Sequence, residues 1–183
     1  MRALKYAILG LLNRKPMSGY DLSKEFSSQI GNFWSANHSQ IYPELKRLLD
    51  EKLVVYNIEI SGDVLEKKVY TITEKGRKEF LRWLNKDEPM GPTPKDVFRL
   101  RMYFCNNLDV ETRIRLLKHQ LSQHEERLAF LSDEMKRYNT VPPIDSDAFG
   151  DYLVLDSAIM REETTIRWLK KCISLCQNGS DEK

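Results

Sequence analysis

Apolar residues at helical spacing open the chain: Ala3, Leu4, Ala7, Ile8, Leu11 and Leu12 predict an amphipathic helix ending near Asn13. Pro16 breaks the pattern, and Ser18 with Asp21 three residues later forms the start signal of a second helix, a capping box with Asp in place of Glu. Tyr20, Leu22, Phe26 and Ile30 carry its apolar face, Gly31 is placed to end it, and Phe33 and Trp34 are read as core anchors in the turn that follows. A third helix is predicted over His38–Lys52, where Ile41, Leu45, Leu48 and Leu49 share one face. Ser39, Pro43, Lys46, Arg47 and Asp50 fall roughly opposite, with Gln40 on the flank. The period then changes. Val54, Val55, Tyr56, Ile58 and Ile60 form a β-branched and aromatic run that reaches a turn at Ser61-Gly62-Asp63. A second run, Lys67–Thr73, passes directly into the helical stretch TEKGRKEFLRWL.

Helix, β-hairpin, helix in this order is the plan of a winged helix-turn-helix, in which the helix at 38–52 would enter a DNA major groove. Side chains near the N-terminus of such a helix reach base edges, which points to Ser39 and Gln40, the latter able to pair with adenine in bidentate fashion. Tyr42 either contacts a thymine methyl or a phosphate, or packs against the second helix. Lys46 and Arg47 lie further along the polar face and suit phosphate oxygens, as do Lys67 and Lys68 on the hairpin. Charges on a helix face are ordinarily only solvated, and it is the surrounding pattern that singles these out.

The densest Pro/Gly stretch, Asp87-Glu88-Pro89-Met90-Gly91-Pro92-Thr93-Pro94, divides the chain into a mixed segment, 1–88, and a helical one, 93–179. Thr93, Pro94 and Asp96 read as a helix start, with Thr93 at the N-cap, for a helix ending near Asn107. Asp109 caps a longer one whose positions Ile114, Leu117, Leu121, His124, Leu128, Leu131, Met135 and Tyr138 step alternately by three and four, a heptad seam with one polar member. Pro142-Pro143 ends it, and Asp145 or Ser146 caps a last helix. There Tyr152, Leu155, Ile159, Glu162, Ile166, Leu169, Ile173 and Cys176 repeat the stepping, again with one polar member. Matched seams joined by a short loop predict antiparallel packing. Phe130, Trp168, Cys172 and Leu175 lie off the seams, more apolar surface than one hairpin can bury, so the hairpin is expected to pair with a second copy. The candidate dimerisation residues are Ile114, Leu117, Leu121, His124, Leu128, Leu131 and Met135, with Ile159, Ile166, Leu169 and Ile173. The competing monomer has the short helix near 94–107 and the first segment covering the surplus. The fold class is α+β, mainly α.

Charge modifies this picture little. The net charge is +2, with 15 Lys and Arg against 12 Asp and Glu in residues 1–88, so any attraction to DNA must come from local patches and duplication. Three cysteines, an odd number, argue against a disulfide framework and for a reducing cytoplasm. No apolar run is long enough to span a bilayer, and no secretory leader pattern opens the chain, so no membrane partner is expected. Cys172 and Cys176 share a helix face but lack completing ligands, and packing is the better account of them. His38 caps or packs at the start of the third helix, His119 lies on a solvated surface, and His124 within the seam sets register, senses pH or is a satisfied structural histidine, the last being a better account than a sensor. No phosphate-binding loop, nucleophile elbow or zinc-protease motif occurs; no enzyme, cofactor or metal is expected.

The motifs SGYDLSKEF, FW, HSQIYPELKRL and VYTITEKGRKEF, in that order through residues 1–84, resemble the PadR family of transcriptional regulators. The helical remainder resembles its virulence-activator type. That resemblance implies a homodimer that binds double-stranded DNA, in most cases a repressor and in some an activator, and in many relatives one responsive to small aromatic compounds. The wing, SGDVLEKK, departs from the pattern: many relatives are rich in Arg, Lys, Gly and Pro there, whereas here Asp63 and Glu66 accompany Lys67 and Lys68. A winged helix with so weakly basic a wing also fits a protein-interaction adaptor; salt-dependent retention on duplex DNA separates the two readings.

Overall fold

Both long-period helices and the hairpin are present in the computed structural model of the chain, which describes residues 2–27, 30–32, 34, 38–61 and 65–178. The expectations for Phe33, for the turn at Gly62-Asp63 and for the His38 side chain lie outside the described residues. Two compact units divide at Pro89, each with its own core.

The first unit runs α1 (Ala3–Arg14), β1 (Met17–Ser18), α2 (Gly19–Ser27), a 3-10 turn (Ile30–Asn32), α3 (His38–Asp50), β2 (Val54–Ser61), β3 (Leu65–Ile72) and α4 (Glu74–Leu84). Its core joins Ile8, Leu9, Leu11 and Leu12 of α1 to Leu22 and Phe26 of α2, Ile41, Leu45 and Leu48 of α3, and Val54 and Tyr70 of the sheet. Each fully buried Leu or Ile contributes about 1.5–3 kcal/mol relative to exposure, so α3 is fixed by three such anchors. Trp34 packs on this core with its ring 5.7 Å from Phe26, the anchoring role expected of it. Tyr20 differs from expectation. It is 69% exposed, because the apolar side of α2 is completed by Leu22 and Phe26 alone. Gly31 lies within the 3-10 turn rather than ending α2, which stops at Ser27.

The sheet is antiparallel in the order β1-β3-β2, with Val54 opposite Ile72, Tyr56 opposite Tyr70 and Ile60 opposite Glu66. Met17 and Ser18 pair with Tyr70 and Val69, tying the start of α2 to the base of the wing. At the end of α3, Leu53 N–H donates to Leu48 O and Lys52 N–H to Leu49 O, with Lys52 at φ 58°. This is the Schellman arrangement, occupied by Lys where glycine is commonest.

In the second unit, α5 (Val97–Tyr103) precedes a 3-10 turn (Cys105–Asn107), then α6 (Val110–Met135) and α7 (Asp147–Asn178). The first of these begins later than predicted. Its cap is Asp96, whose side chain accepts from Arg99 N–H, not Thr93. Residues 90–96 are exposed, so no burial supports an added turn there. Asp109 caps α6 by accepting from Thr112 N–H at 2.7 Å, and Ser146 Oγ accepts from Phe149 N–H at the start of α7. None of the described helices is long and apolar enough to cross a membrane.

Candidate nucleic-acid interface

The side chains proposed to meet DNA stand on α3, whose inner face is locked into the core. Ser39, Gln40, Pro43, Lys46, Arg47 and Asp50 are all exposed, as the helical wheel requires. Pro43 has no N–H, so the helix lacks the backbone bond it would otherwise make to the Ser39 carbonyl one turn before. Tyr42 packs against the second helix and is also exposed. Its ring lies against the first residue of α2, where a Cβ on Gly19 would stand 2.6 Å from Tyr42 Cε1, while the side chain stays 48% exposed. A side chain at position 19 would therefore have to displace the end of the half-exposed Tyr42 ring.

On the wing, both candidate cations have protein partners. Lys67 Nζ is 3.0 Å from Asp21 Oδ2, and Lys68 Nζ sits 4.6 Å from the centroid of the Tyr56 ring. Asp21 offsets the charge of Lys67, so the wing offers less positive potential than its sequence suggests. Asp21 also accepts from both the hydroxyl and the backbone N–H of Ser18, and these bonds, then Lys67, hold its carboxyl at about 2, well below its ordinary 3.8. A depressed carboxylate stabilises the fold above its unfolded value, and that gain is lost as pH falls through the folded one. The melting difference between wild type and Asp21→Asn should thus hold steady from neutral pH down to about pH 4 and close between about pH 4 and 2. A difference independent of pH over that window would show that the ionised form is not what stabilises.

Sequence reasoning did not identify Glu44. It is buried on the inner side of α3, and Arg2 donates from Nε (3.1 Å) and Nη2 (2.5 Å) to its Oε1. A signal for it exists in the spacing, since Glu44 lies three residues after Ile41 and four before Leu48, on the apolar face.

In the second unit the seams meet within one chain. Leu117, Leu169 and Ile173 form one buried cluster with Ile114 and Leu121 against it, and Leu131, Leu155 and Ala158 form another with Met135, Tyr138 and Ile159. Ile166 is buried, and Leu128 is half-buried. Between the clusters the two polar members of the seams pair: His124 Nδ1 lies 2.5 Å from Glu162 Oε2. The seam residues named as a dimer interface thus close the hairpin of a single chain, because each heptad stripe finds its complement on the neighbouring helix. Part of the off-seam surplus is also covered, as Trp168 packs edge-on to Phe98 of α5 and Cys172 joins the same cluster. Phe130 and Leu175 stay 51% and 62% exposed. Burial pushes the Cys172 thiol up, away from reactive thiolate character, and no group that could hold a metal occurs among the described residues.

Residues 8–82 match the Transcriptional regulator PadR-like family, and residues 94–177 match the family described as Virulence activator alpha C-term. The chain is 42% identical over 178 residues to the negative transcriptional regulator PadR of Bacillus subtilis, covering 96% of this chain and 98% of that protein. The crystal structure of Bacillus subtilis PadR in complex with operator DNA matches with a TM-score of 0.91 at 40% identity, over 96% of this chain and 99% of that one. The same protein in complex with p-coumaric acid matches with a TM-score of 0.86 at 38% identity, over the same shares of the two chains. On this fold, these motifs and this extent of identity, the chain belongs to the PadR-like family of transcriptional regulators.

Proposed function

We propose that the chain is a homodimeric, DNA-binding transcriptional repressor that reads a pseudo-palindromic operator with α3 from each subunit. The observation that carries this is the exposed row Ser39, Gln40, Lys46 and Arg47 on a helix held by three buried anchors, in a chain that matches an operator-bound regulator along nearly its whole length. Rigid placement matters because base contacts discriminate only when donor and acceptor are fixed to within a fraction of an ångström. Ser39 and Gln40 are assigned to base edges and Lys46 and Arg47 to phosphates. The wing, with Lys67 and Lys68 already engaged, plays the smaller electrostatic part. The second copy packs on the outer face of the hairpin, where Phe130, Leu153, Met160 and Leu175 are exposed. Binding is proposed to respond to a small aromatic carboxylate, on the ground of the p-coumaric acid complex of the Bacillus subtilis relative. Regulation of this kind involves no enzymatic step and takes place in the cytoplasm.

Selection of bound sequences from random duplexes tests the whole reading, since the spacing of recovered half-sites reports the dimer. Gln40→Ala should alter the selected sequence and lose about tenfold or more in preference for the wild-type site. Lys46→Ala should weaken selected and random duplexes alike and lower the salt slope by about 0.9 for each phosphate it leaves unneutralised. Equal losses on specific and random DNA for Gln40→Ala would reject base reading by that residue. Absence of salt-dependent duplex binding by wild type would favour the adaptor reading.

A further inference from the structure

Glu44 has a side chain only 5% exposed, and a carboxylate so buried needs cationic partners. Two arginines stand beside it. Arg2, at the start of α1, takes up Oε1 through Nε and Nη2, while Arg47, one turn further along α3, has Nη1 3.5 Å from Oε2. The remaining terminal nitrogen of Arg2, Nη1, donates to Glu51. Glu44 and Glu51 are seven residues apart, two turns along the same side of the α3 segment. One guanidinium thus grips this segment at two levels and resists its rotation about its own axis. Lys5 extends the grip, standing 3.4 Å from Glu51 and 3.0 Å from Glu79 of α4.

We propose that Arg2 is a positioning residue for DNA binding: by satisfying Glu44 Oε1 it limits Arg47 to one 3.5 Å contact at Oε2 and leaves the rest of that exposed guanidinium for a DNA phosphate. The proposal rests on the reading of α3 as the DNA-contacting helix. Without Arg2, the buried Glu44 side chain loses the partner at Oε1, and Arg47 is the cation already at its edge. The lower-energy response is for Arg47 to fold inward onto Glu44, which withdraws a phosphate partner from each subunit without touching the base-reading residues.

Fluorescence anisotropy on a labelled random duplex of about 30 base pairs, titrated over about 50–300 mM salt, reads this directly. If wild type shows no salt-dependent binding, the DNA-binding reading itself fails, and this proposal with it. Given wild-type binding, Arg2→Gln should bind about tenfold more weakly at low salt, with a salt slope shallower by about 0.9 for each Arg47 withdrawn, hence about 1.8 for a dimer. Adding Glu44→Gln to that variant should restore both affinity and slope, because a neutral amide has no hold on Arg47. A folded Arg2→Gln protein with the wild-type slope overturns the proposal, and so does a loss that Glu44→Gln does not rescue. Should Arg2→Gln not fold, Glu44→Gln alone decides: an unchanged or steeper slope supports the proposal, and a shallower one overturns it.

Discussion

A Gly76→Ala protein should melt about 10–20 °C below wild type, corresponding to a loss of about 2–3 kcal/mol in the winged-helix unit. Gly76 is in the first turn of α4, where Ala would ordinarily be favoured by about 0.5–1 kcal/mol. Packing reverses that sign. A Cβ at position 76 would stand 2.1 Å from the Leu53 carbonyl oxygen and 2.9 Å from Ile72 Cγ1. The carbonyl cannot retreat cheaply, because it accepts from the Thr73 backbone N–H (3.0 Å), while the Thr73 hydroxyl lies 2.9 Å from Lys52 O and 3.1 Å from Leu53 O. Leu53 N–H in turn closes the end of α3 on Leu48 O, so displacing this residue disturbs the exit of the helix assigned to DNA. DNA affinity should therefore fall with stability. The same substitution at Gly150, on α7 with nothing within 4 Å of the added Cβ, should raise stability by about 0.5–1 kcal/mol. Thermal melts of the two variants, read by circular dichroism, make the comparison. A Gly76→Ala melting point within about 2 °C of wild type would show that α4 moves aside freely and would remove the role assigned to this glycine.

What can be read from the sequence follows the range of the interactions involved. Helix and strand periods are local, so the inner face of α3, the two seams and the caps at Ser18, Asp109 and Ser146 are all visible in spacing. Tyr20 and the start of α5 depart from expectation because propensity and pattern are not backed by burial: Tyr20 is 69% exposed, and residues 90–96 are all exposed. The short β1 strand owes its existence to Tyr70 and Val69, far away in sequence, and a two-residue run carries no period of its own. Among the candidate site residues, exposure of Ser39, Gln40, Lys46 and Arg47 follows from the wheel, whereas the capture of Lys67 by Asp21 depends on how the hairpin lies against α2. Glu44 is intermediate between these cases. Its position on an apolar face announces that a partner is required, and only the fold identifies Arg2.

His124→Leu should destabilise the helical hairpin by about 3 kcal/mol, and the double change His124→Leu/Glu162→Leu should recover most or all of that loss. The Glu162 side chain is 10% exposed in the middle of the α6–α7 seam, and His124 is its close partner there. Arg161 stands 3.9 Å away with its own side chain 59% exposed, too distant and too hydrated to replace the imidazole. Removing His124 alone leaves a carboxylate buried between apolar clusters, and that desolvation cost is what the single variant should report. Glu162→Leu should cost less, about 1 kcal/mol, because an imidazole can stay uncharged and turn its remaining polar edge to solvent. With both leucines the heptad stripes become continuous, and two apolar residues replace a polar pair whose mutual hydrogen bond is offset by the cost of desolvating both groups. Urea unfolding of the four proteins gives the cycle, with a coupling of about 2 kcal/mol or more expected. Simple additivity of the two single losses would sink the pairing as an energetic unit. The polar layer also fixes which residues face one another, since a slip of either helix by one heptad would bury His124 and Glu162 each against leucine or isoleucine. The double variant should therefore gain stability at the expense of a single register, visible in sedimentation velocity as a broadened distribution of oligomers where wild type gives one species.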